Sequence, residues 1–552
     1  MKRFLTVIAC VCFISVFASA DITATGDVSP YDPDTWTTET TAYIGNTAIG
    51  TFIVNDGDSI DNEAGYVGYY KGSEGTATIT GADSNWTLTK ELVVGNEGYG
   101  KLRIVDAATV NSETGLIGGY LEMNLRGITF PINPNPDPEP DGTGLVIIDG
   151  ENSRWTVSDS LKVGDLGRGV LNITNGGGLL GNTIFIGGGY RKLGDAHFAK
   201  GTGNATVDGE GSYLTATGAL AVGALRDGEG TLDIINGGDA VSDMVIVGGH
   251  IDYGIYGSGK IAVDGAGSSL TVNGKMDLAG LSSIDNNFAH HDSLVVSRGG
   301  SVTSNNAKIY SSKVTVNGID SLWKINGILD ICDGDLEIKN SGVVESDRIT
   351  LSGINPMFGD GVLVYLDGGT IKSNTISSDC EIDAFRFTSG YLHVDNYSGK
   401  LQVNGGTVCP GNSSNLMSVS GNFKLFSGSI QTDIGGLTRG IDYDAIDVGG
   451  NFRLEGGSLD VELLEDFQLD YNQIFTIVNV SGSLVGRGYF DGLVQDSLVG
   501  TYNGIELFIS YTAGDGNDVA LYTAIPEPCT MAMFAIGGMI LRKSKIKNKN
   551  SR

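Results

Sequence analysis

An eight-residue signature that occurs five times is the strongest constraint on this chain. Gly81-Ala82-Asp83-Ser84-Asn85-Trp86-Thr87-Leu88 is repeated as Gly150-Glu151-Asn152-Ser153-Arg154-Trp155-Thr156-Val157. It returns as Gly209-Glu210-Gly211-Ser212-Tyr213-Leu214-Thr215-Ala216 and as Gly265-Ala266-Gly267-Ser268-Ser269-Leu270-Thr271-Val272, with a looser copy at Gly318-Ile319-Asp320-Ser321-Leu322-Trp323-Lys324-Ile325. Three copies share a continuation: Leu92-Val93-Val94-Gly95, Leu161-Lys162-Val163-Gly164 and Leu220-Ala221-Val222-Gly223 each lead to a second strand, at residues 100–104, 169–173 and 230–234. A third short strand closes these units at residues 116–119, 185–188 and 246–249. Positions 86, 155, 214, 270 and 323 lie 69, 59, 56 and 53 residues apart. Each unit is a set of short alternating strands separated by Gly, Asn and Asp turns, with no helical stretch between them. So many short strands cannot share one globular core, whereas the core of a solenoid grows with the length of the chain. The expected fold is all-β: a right-handed parallel β-helix over residues 21–417, each repeat supplying two or three coils. The 84 glycines in 552 residues, about twice the usual ~7% share, suit corners that need positive φ or close backbone approach.

Strand alternation assigns the side chains to two faces. Trp86 and Leu88, Trp155 and Val157, and Trp323 and Ile325 fall in phase with the aliphatic core, so the tryptophans are expected inside. Thr87, Thr89, Thr215 and Thr217 are expected outside. The variable stretches lie between units. Residues 121–140 end in Pro131-Ile132-Asn133-Pro134-Asn135-Pro136-Asp137-Pro138-Glu139-Pro140, a stiff acidic excursion, and residues 190–200 and 250–256 occupy the corresponding place later. Such loops are where a binding surface on a solenoid is expected. From Ser418 the strand spacing lengthens, and residues 418–523 read as a separate all-β segment capping the solenoid edge.

The two ends read as addresses. Lys2-Arg3, an apolar run from Phe4 to Phe17 and Ala18-Ser19-Ala20 make a signal peptide over residues 1–20, with Ala18 and Ala20 at the cleavage site. Residues 524–552 contain Pro526-Glu527-Pro528, an apolar run from Cys529 to Leu541 expected to form a short helix, and a basic end opening with Arg542-Lys543. Cations after an apolar segment resist translocation. Thirteen helical residues span about 20 Å, short of the ~30 Å hydrocarbon core, which suits transient membrane insertion better than a permanent anchor. Between these ends the chain is strongly acidic, with 65 Asp and Glu against 35 Lys and Arg overall and a net charge of −30. That surface repels phosphate backbones, so no nucleic-acid partner is expected.

The repeats, over roughly residues 40–415, resemble those of autotransporter passenger domains and other bacterial surface β-helices. The tail resembles the PEP-CTERM sorting signal of Gram-negative bacteria through Pro526, Glu527, Pro528, the apolar run, and Arg542 and Lys543; Cys529 departs from the small residue usual at that place. The resemblance implies recognition by an exosortase-type processing enzyme, cleavage near the motif, and delivery to the cell surface or extracellular matrix, where exopolysaccharide or the cell envelope would be the partner.

No catalytic constellation stands out. Carboxylates are scattered through turns, where Asp serves geometry. His197, His250, His290 and His291 fall in inter-strand stretches and His393 in a strand, without metal-ligand spacing. Cys332, Cys380 and Cys409 are an odd set without Cys-x-x-Cys spacing, expected as buried thiols or one bridged pair. No metal site and no cofactor are expected. Calcium is the one ion left open, by the acidic turns at Asn55-Asp56-Gly57-Asp58 and Gly514-Asp515-Gly516-Asn517-Asp518. The reading is a non-enzymatic, surface-targeted structural or adhesive β-helix protein. A carbohydrate-active β-helix enzyme acting on exopolysaccharide and an ice-binding solenoid are the alternatives.

Overall fold

In the strand Glu74–Thr80, Gly75, Ala77 and Ile79 are buried while the residues between them face outward. The strand runs parallel to Ile49–Val54 on one side and Tyr99–Val105 on the other, residue for residue. In the computed structural model this arrangement extends along the chain. The described residues are 22–524, apart from 120–141, 189, 194–196, 225–227, 250–256, 280–291, 353–362, 379–384, 413–414 and 465–466. The expected signal peptide, the C-terminal helix and the sorting residues Pro526, Glu527, Pro528, Arg542 and Lys543 therefore lie outside them, as do Ala18 and Ala20. The described chain is all-β, with a single 3-10 turn at Pro33–Thr35. It divides into two units, residues 1–326 with 333–335, and residues 327–332 with 336–552.

The first unit is a β-solenoid with three strand stacks. One continues from Tyr99–Val105 through Thr143–Asp149, Arg168–Thr174, Thr202–Asp208, Glu229–Ile235 and Ser258–Asp264. The second begins with Ser59–Asn62, Asn85–Leu88 and Thr109–Ser112, and the third with Thr41–Ile44, Ala64–Val67, Glu91–Val94 and Thr114–Ile117. Further along, single long strands such as Arg154–Asp165 and Gly178–Gly188 serve both stacks, with a register shift at the bend. Three stacks in sequence make one coil, and the signature proves to recur at every second coil. Trp86 pairs with Val110, which pairs with Trp155, followed by Leu179, Leu214, Ala240, Leu270 and Val302.

Core packing explains why a tryptophan cannot recur in each coil. Trp86, Trp155 and Trp323 are all fully buried, as expected. A Cβ on Gly65 would lie 2.8 Å from the Trp86 ring, and one on Gly115 2.9 Å from the Trp155 ring. These two rings thus each need a glycine in the adjoining stack of the coil before, as close packing requires. The indole N–H groups are also provided for. Trp86 Nε1 donates to Asn62 Oδ1 at 2.7 Å and Trp155 Nε1 to Ser112 Oγ at 3.1 Å. Trp323 follows the pattern only in part: its Nε1, like the buried Ser304 Oγ, has no hydrogen-bond partner.

The Gly-x-x-Ser turns supply the ties between coils. Ser84, Ser153, Ser212, Ser268 and Ser321 are buried, and each Oγ accepts a backbone N–H from the turn of the preceding coil, at Gly57, Ala107, Gly176, Gly237 and Gly299. The glycine opening the same turn donates forward: Gly81 to Val105 O, Gly150 to Thr174 O, Gly209 to Ile235 O and Gly265 to Ser297 O. A turn tied to both neighbours needs a different turn on either side of it, which is the origin of the two-coil period. The edge of the first coil is covered by antiparallel strands, Thr23–Gly26 on Ile49–Val54 and Val28–Ser29 on Thr41–Ile44, with Trp36 stacked on Phe52 at 4.9 Å.

The second unit is also parallel and in register, from Val343–Leu351 through Leu363–Ser378 and Phe385–Ser398. Parallel pairing continues across Ser418, through Leu416–Val419, Ala445–Val448 and Ile474–Val480. Its core is phenylalanine-rich, with Phe423 stacked on Phe452 at 5.0 Å. The arrangement turns antiparallel where Asp518–Thr523 lies between Ile474–Val480 and Ile505–Ala513. That strand occupies an edge otherwise open to pairing with another chain.

Candidate functional site

A shallow groove of about 380 Å³ lies on the second unit. Its floor is built by strand register. Asn396 pairs with Ser418, Ser418 with Asp447, and Asp447 with Asn479. Beside this row runs a second, Ser398, Ser420, Gly449 and Ser481, the residues that follow the paired Tyr397, Val419, Val448 and Val480. Between the rows those four side chains turn inward to the core, which is why the two rows share the outer face. Asp447 accepts from Asn479 Nδ2 at 3.2 Å and is paired with Arg439 at 2.9 Å. Arg439 belongs to an excursion, residues 435–442, that its guanidinium also pins to Thr476 O and Ile446 O. That excursion exposes Leu437 at 59% and Ile441 at 72%. The arrangement offers hydrogen-bond donors and acceptors in rows, with one carboxylate and an adjacent apolar knob. It contains no second carboxylate facing the first, as the two-carboxylate hydrolysis of a glycoside requires.

On the first unit every interruption of the coil falls at one corner, between the third stack and the first. Residues 120–141, 189–200, 225–227, 250–256 and 280–291 each lie in sequence between a strand of the third stack and the next strand of the first. The second of these includes an antiparallel hairpin, Tyr190–Leu193 with His197–Lys200. The variable stretches expected at 121–140 and 250–256 lie outside the described residues, and that at 190–200 is described in part. Near the start of the unit the outer face also carries four tyrosines that periodicity did not single out. Tyr43 stacks on Tyr66 at 5.2 Å, and Tyr69 meets both edge-on and touches Tyr70 at 4.6 Å. Burial, with the hydrogen bond to Glu91, pushes the Tyr66 hydroxyl well above its ordinary range. The signal that could have found them is pairing of Tyr43 with Tyr66 in adjacent coils.

Thr87 and Thr215 face outward, and Thr89 and Thr217 are exposed. Their column reads Thr87, Asn111, Thr156, Leu180, Thr215, Val241, Thr271 and Thr303, so threonine is interrupted by other side chains. Of the cysteines, Cys332 and Cys409 are buried, while Cys380 lies outside the described residues. Burial pushes the Cys409 thiol up to about 12, which keeps it protonated and unreactive. His393 is the partner of Cys409 in the adjacent strand, and burial, then Lys372, lowers its pKa. His250, His290 and His291 lie outside the described residues, and the side chain of His197 is not described. In the acidic turn near the end, Asp518 Oδ1 accepts from Val480 N at 2.8 Å, a structural use of that carboxylate. Among the described residues no group of three His, Cys, Asp or Glu side chains is placed to hold a metal ion, and no helix is long and apolar enough to cross a membrane.

No family model matches this chain. Over 140 residues, 25% of its length, it is 30% identical to the Adhesin BmaC autotransporter of Brucella suis biovar 1 (strain 1330). The match covers 4% of that protein.

Proposed function

We propose that this chain is an exported, non-enzymatic adhesive protein of the cell surface or extracellular matrix. The observation that carries this reading is that the extra residues of the first unit all fall in sequence between a third-stack strand and the next first-stack strand of an otherwise regular solenoid. An in-register body whose differences in length from coil to coil are confined to one connection is suited to contact with another surface. The distant similarity to an autotransporter adhesin supports the same reading. The winding is taken as right-handed, the sense that nearly all parallel crossover connections follow. Delivery is through the signal peptide ending at Ala20, and sorting is through Pro526, Glu527 and Pro528 by an exosortase-type enzyme, with Arg542 and Lys543 holding the tail at the membrane until processing. The partner is exopolysaccharide or the cell envelope.

Two measurements test this. Cells expressing the full chain and a variant lacking residues 526–552 are fractionated, and the protein's location and mass are compared; identical results overturn the sorting role. Purified protein is then incubated with cells and with their extracted polymer; failure to bind either overturns the adhesive role. Release of reducing ends from the polymer would replace it with the enzymatic alternative, and thermal hysteresis with the ice-binding one.

A further inference from the structure

The groove on the second unit has a geometry that the adhesive reading does not use. Its polar groups repeat once per coil, and adjacent strands are ~4.8 Å apart. The row Asn396, Ser418, Asp447 and Asn479 therefore extends about 14 Å along the stacking direction, with Ser398, Ser420 and Ser481 parallel to it. A ligand matching this pattern is itself a linear repeat, presenting groups that both donate and accept hydrogen bonds at each step. Amides and hydroxyls, which line the groove, have that dual character.

Charge narrows the class. No lysine or arginine lines the groove, Asp447 is its one carboxylate, and the nearest cation, Arg439, is committed to Asp447. An anionic polymer would find no uncommitted cation in the lining to pair with, on a chain whose net charge is −30. An extended peptide binds a sheet through an open strand edge, and the groove floor is instead made of strands paired on both sides, as Ala445–Val448 is with Leu416–Val419 and Ile474–Val480. We propose that the groove over Asn396, Ser418, Asp447 and Asn479 binds an extended, uncharged glycan chain laid along the stacking direction. This deepens the adhesive reading and rests on it for its biological role alone. The single salt-bridged carboxylate makes it a site of binding without cleavage.

The test is calorimetric titration of the full-length protein with uncharged glucan and mannan oligosaccharides of two to eight sugars, with polygalacturonate as the anionic comparison. Binding to at least one neutral series is expected, tightening with chain length and levelling off at about three to four sugars, once the ~14 Å row is covered. Two variants are compared, Asn396→Ala with Asn479→Ala, which removes the amides, and Ser418→Phe, which fills the floor. Both are expected to weaken binding at least about tenfold with the β circular-dichroism signal retained; if one misfolds, the other is decisive. Absence of binding to every neutral oligosaccharide, tighter binding of polygalacturonate, or wild-type affinity in a folded variant overturns the proposal. Protein that binds cells but no oligosaccharide overturns the groove and leaves the adhesive reading standing; the opposite result overturns the adhesive reading alone.

Discussion

The two units solve the same problem, tying one coil to the next, in different ways. In the first, a buried serine hydroxyl accepts a backbone N–H at five turns, always to the preceding coil. In the second the acceptor varies among Ser, Asn and Asp side chains. Gly399 N–H goes to Ser420 Oγ, Asn451 N–H to Asn422 Oδ1, Ser483 N–H to Asn451 Oδ1 and Gly457 N–H to Asp491 Oδ2, mostly at exposed positions. A solenoid needs its corner N–H groups satisfied, but it needs one particular side chain only where water cannot substitute. Burial of the corner, rather than the solenoid form, is what demands repetition of the sequence.

The largest effect that would sharpen this contrast is at corner glycines. A Cβ on Gly100 of the first unit would lie 2.2 Å from both Val67 O and Gly95 N, backbone atoms with no side-chain freedom to yield, whereas one on Gly488 of the second unit meets nothing within 4 Å. Gly100→Ala is expected to destabilise its unit by more than ~4 kcal/mol. Gly488→Ala, limited to the strain of its positive φ, should cost about 1–2 kcal/mol. Urea unfolding followed by circular dichroism checks this, and equal losses would break the comparison. Next in size is the ring-and-glycine pair of the first unit. Gly115→Ala forces a methyl against Trp155 and should cost about 1–3 kcal/mol. Combined with Trp155→Leu, the part of the penalty that comes from the ring should vanish while the 2.7 Å approach to Leu161 Cδ1 remains, and fully additive losses would show that the two positions do not share a space.

A pH effect is expected in both units, where burial pushes one described carboxyl of each, Asp292 and Asp444, up to about 7. Asp444 is buried, its carboxyl pushed up to about 7 by desolvation while accepting from Asp433 N. The unfolded chain releases this proton in the ordinary carboxylate range, so between that range and about pH 7 the folded chain binds more protons. The stability contributed by this group is therefore full at the acid end and is lost as the pH rises to about 7. Asp444→Asn keeps an acceptor for Asp433 N–H and removes the titration. Its melting temperature relative to wild type should rise from pH 4 to pH 8, and a flat difference would overturn the assignment.

The sequence made the first unit legible because its buried ties and rings are chemically specific: Ser84, Ser153 and Trp155 sit in a pattern that turns and a core both impose. It placed the tryptophans inside and the threonines outside through alternation alone. It did not reveal that Ser84 and its equivalents reach across coils, because a hydrogen-bond partner such as Gly57 is distant in the chain. The groove was equally hidden. Asn396, Ser418, Asp447 and Asn479 share no motif, and only parallel register aligns them. The tyrosine cluster was missed because Tyr43, Tyr66, Tyr69 and Tyr70 lie outside the recurring signature.

The smallest expected difference bears most directly on why one unit repeats and the other does not. Ser212 is fully buried, and its Oγ accepts from Gly176 N at 3.0 Å while donating to Asp208 O at 2.7 Å. Ser212→Ala removes the buried acceptor of the part-buried Gly176 N–H and should cost about 1–3 kcal/mol. Ser420 accepts the Gly399 N–H at the same 3.0 Å in an exposed setting, where water can take over, so Ser420→Ala should stay within about 0.5 kcal/mol. Hydrogen exchange at the two glycine amides separates local from global effects: Gly176 should lose protection sharply in Ser212→Ala, and Gly399 little in Ser420→Ala. If both variants lose the same stability and protection, burial does not select the repeated serine, and its five-fold recurrence would need another cause.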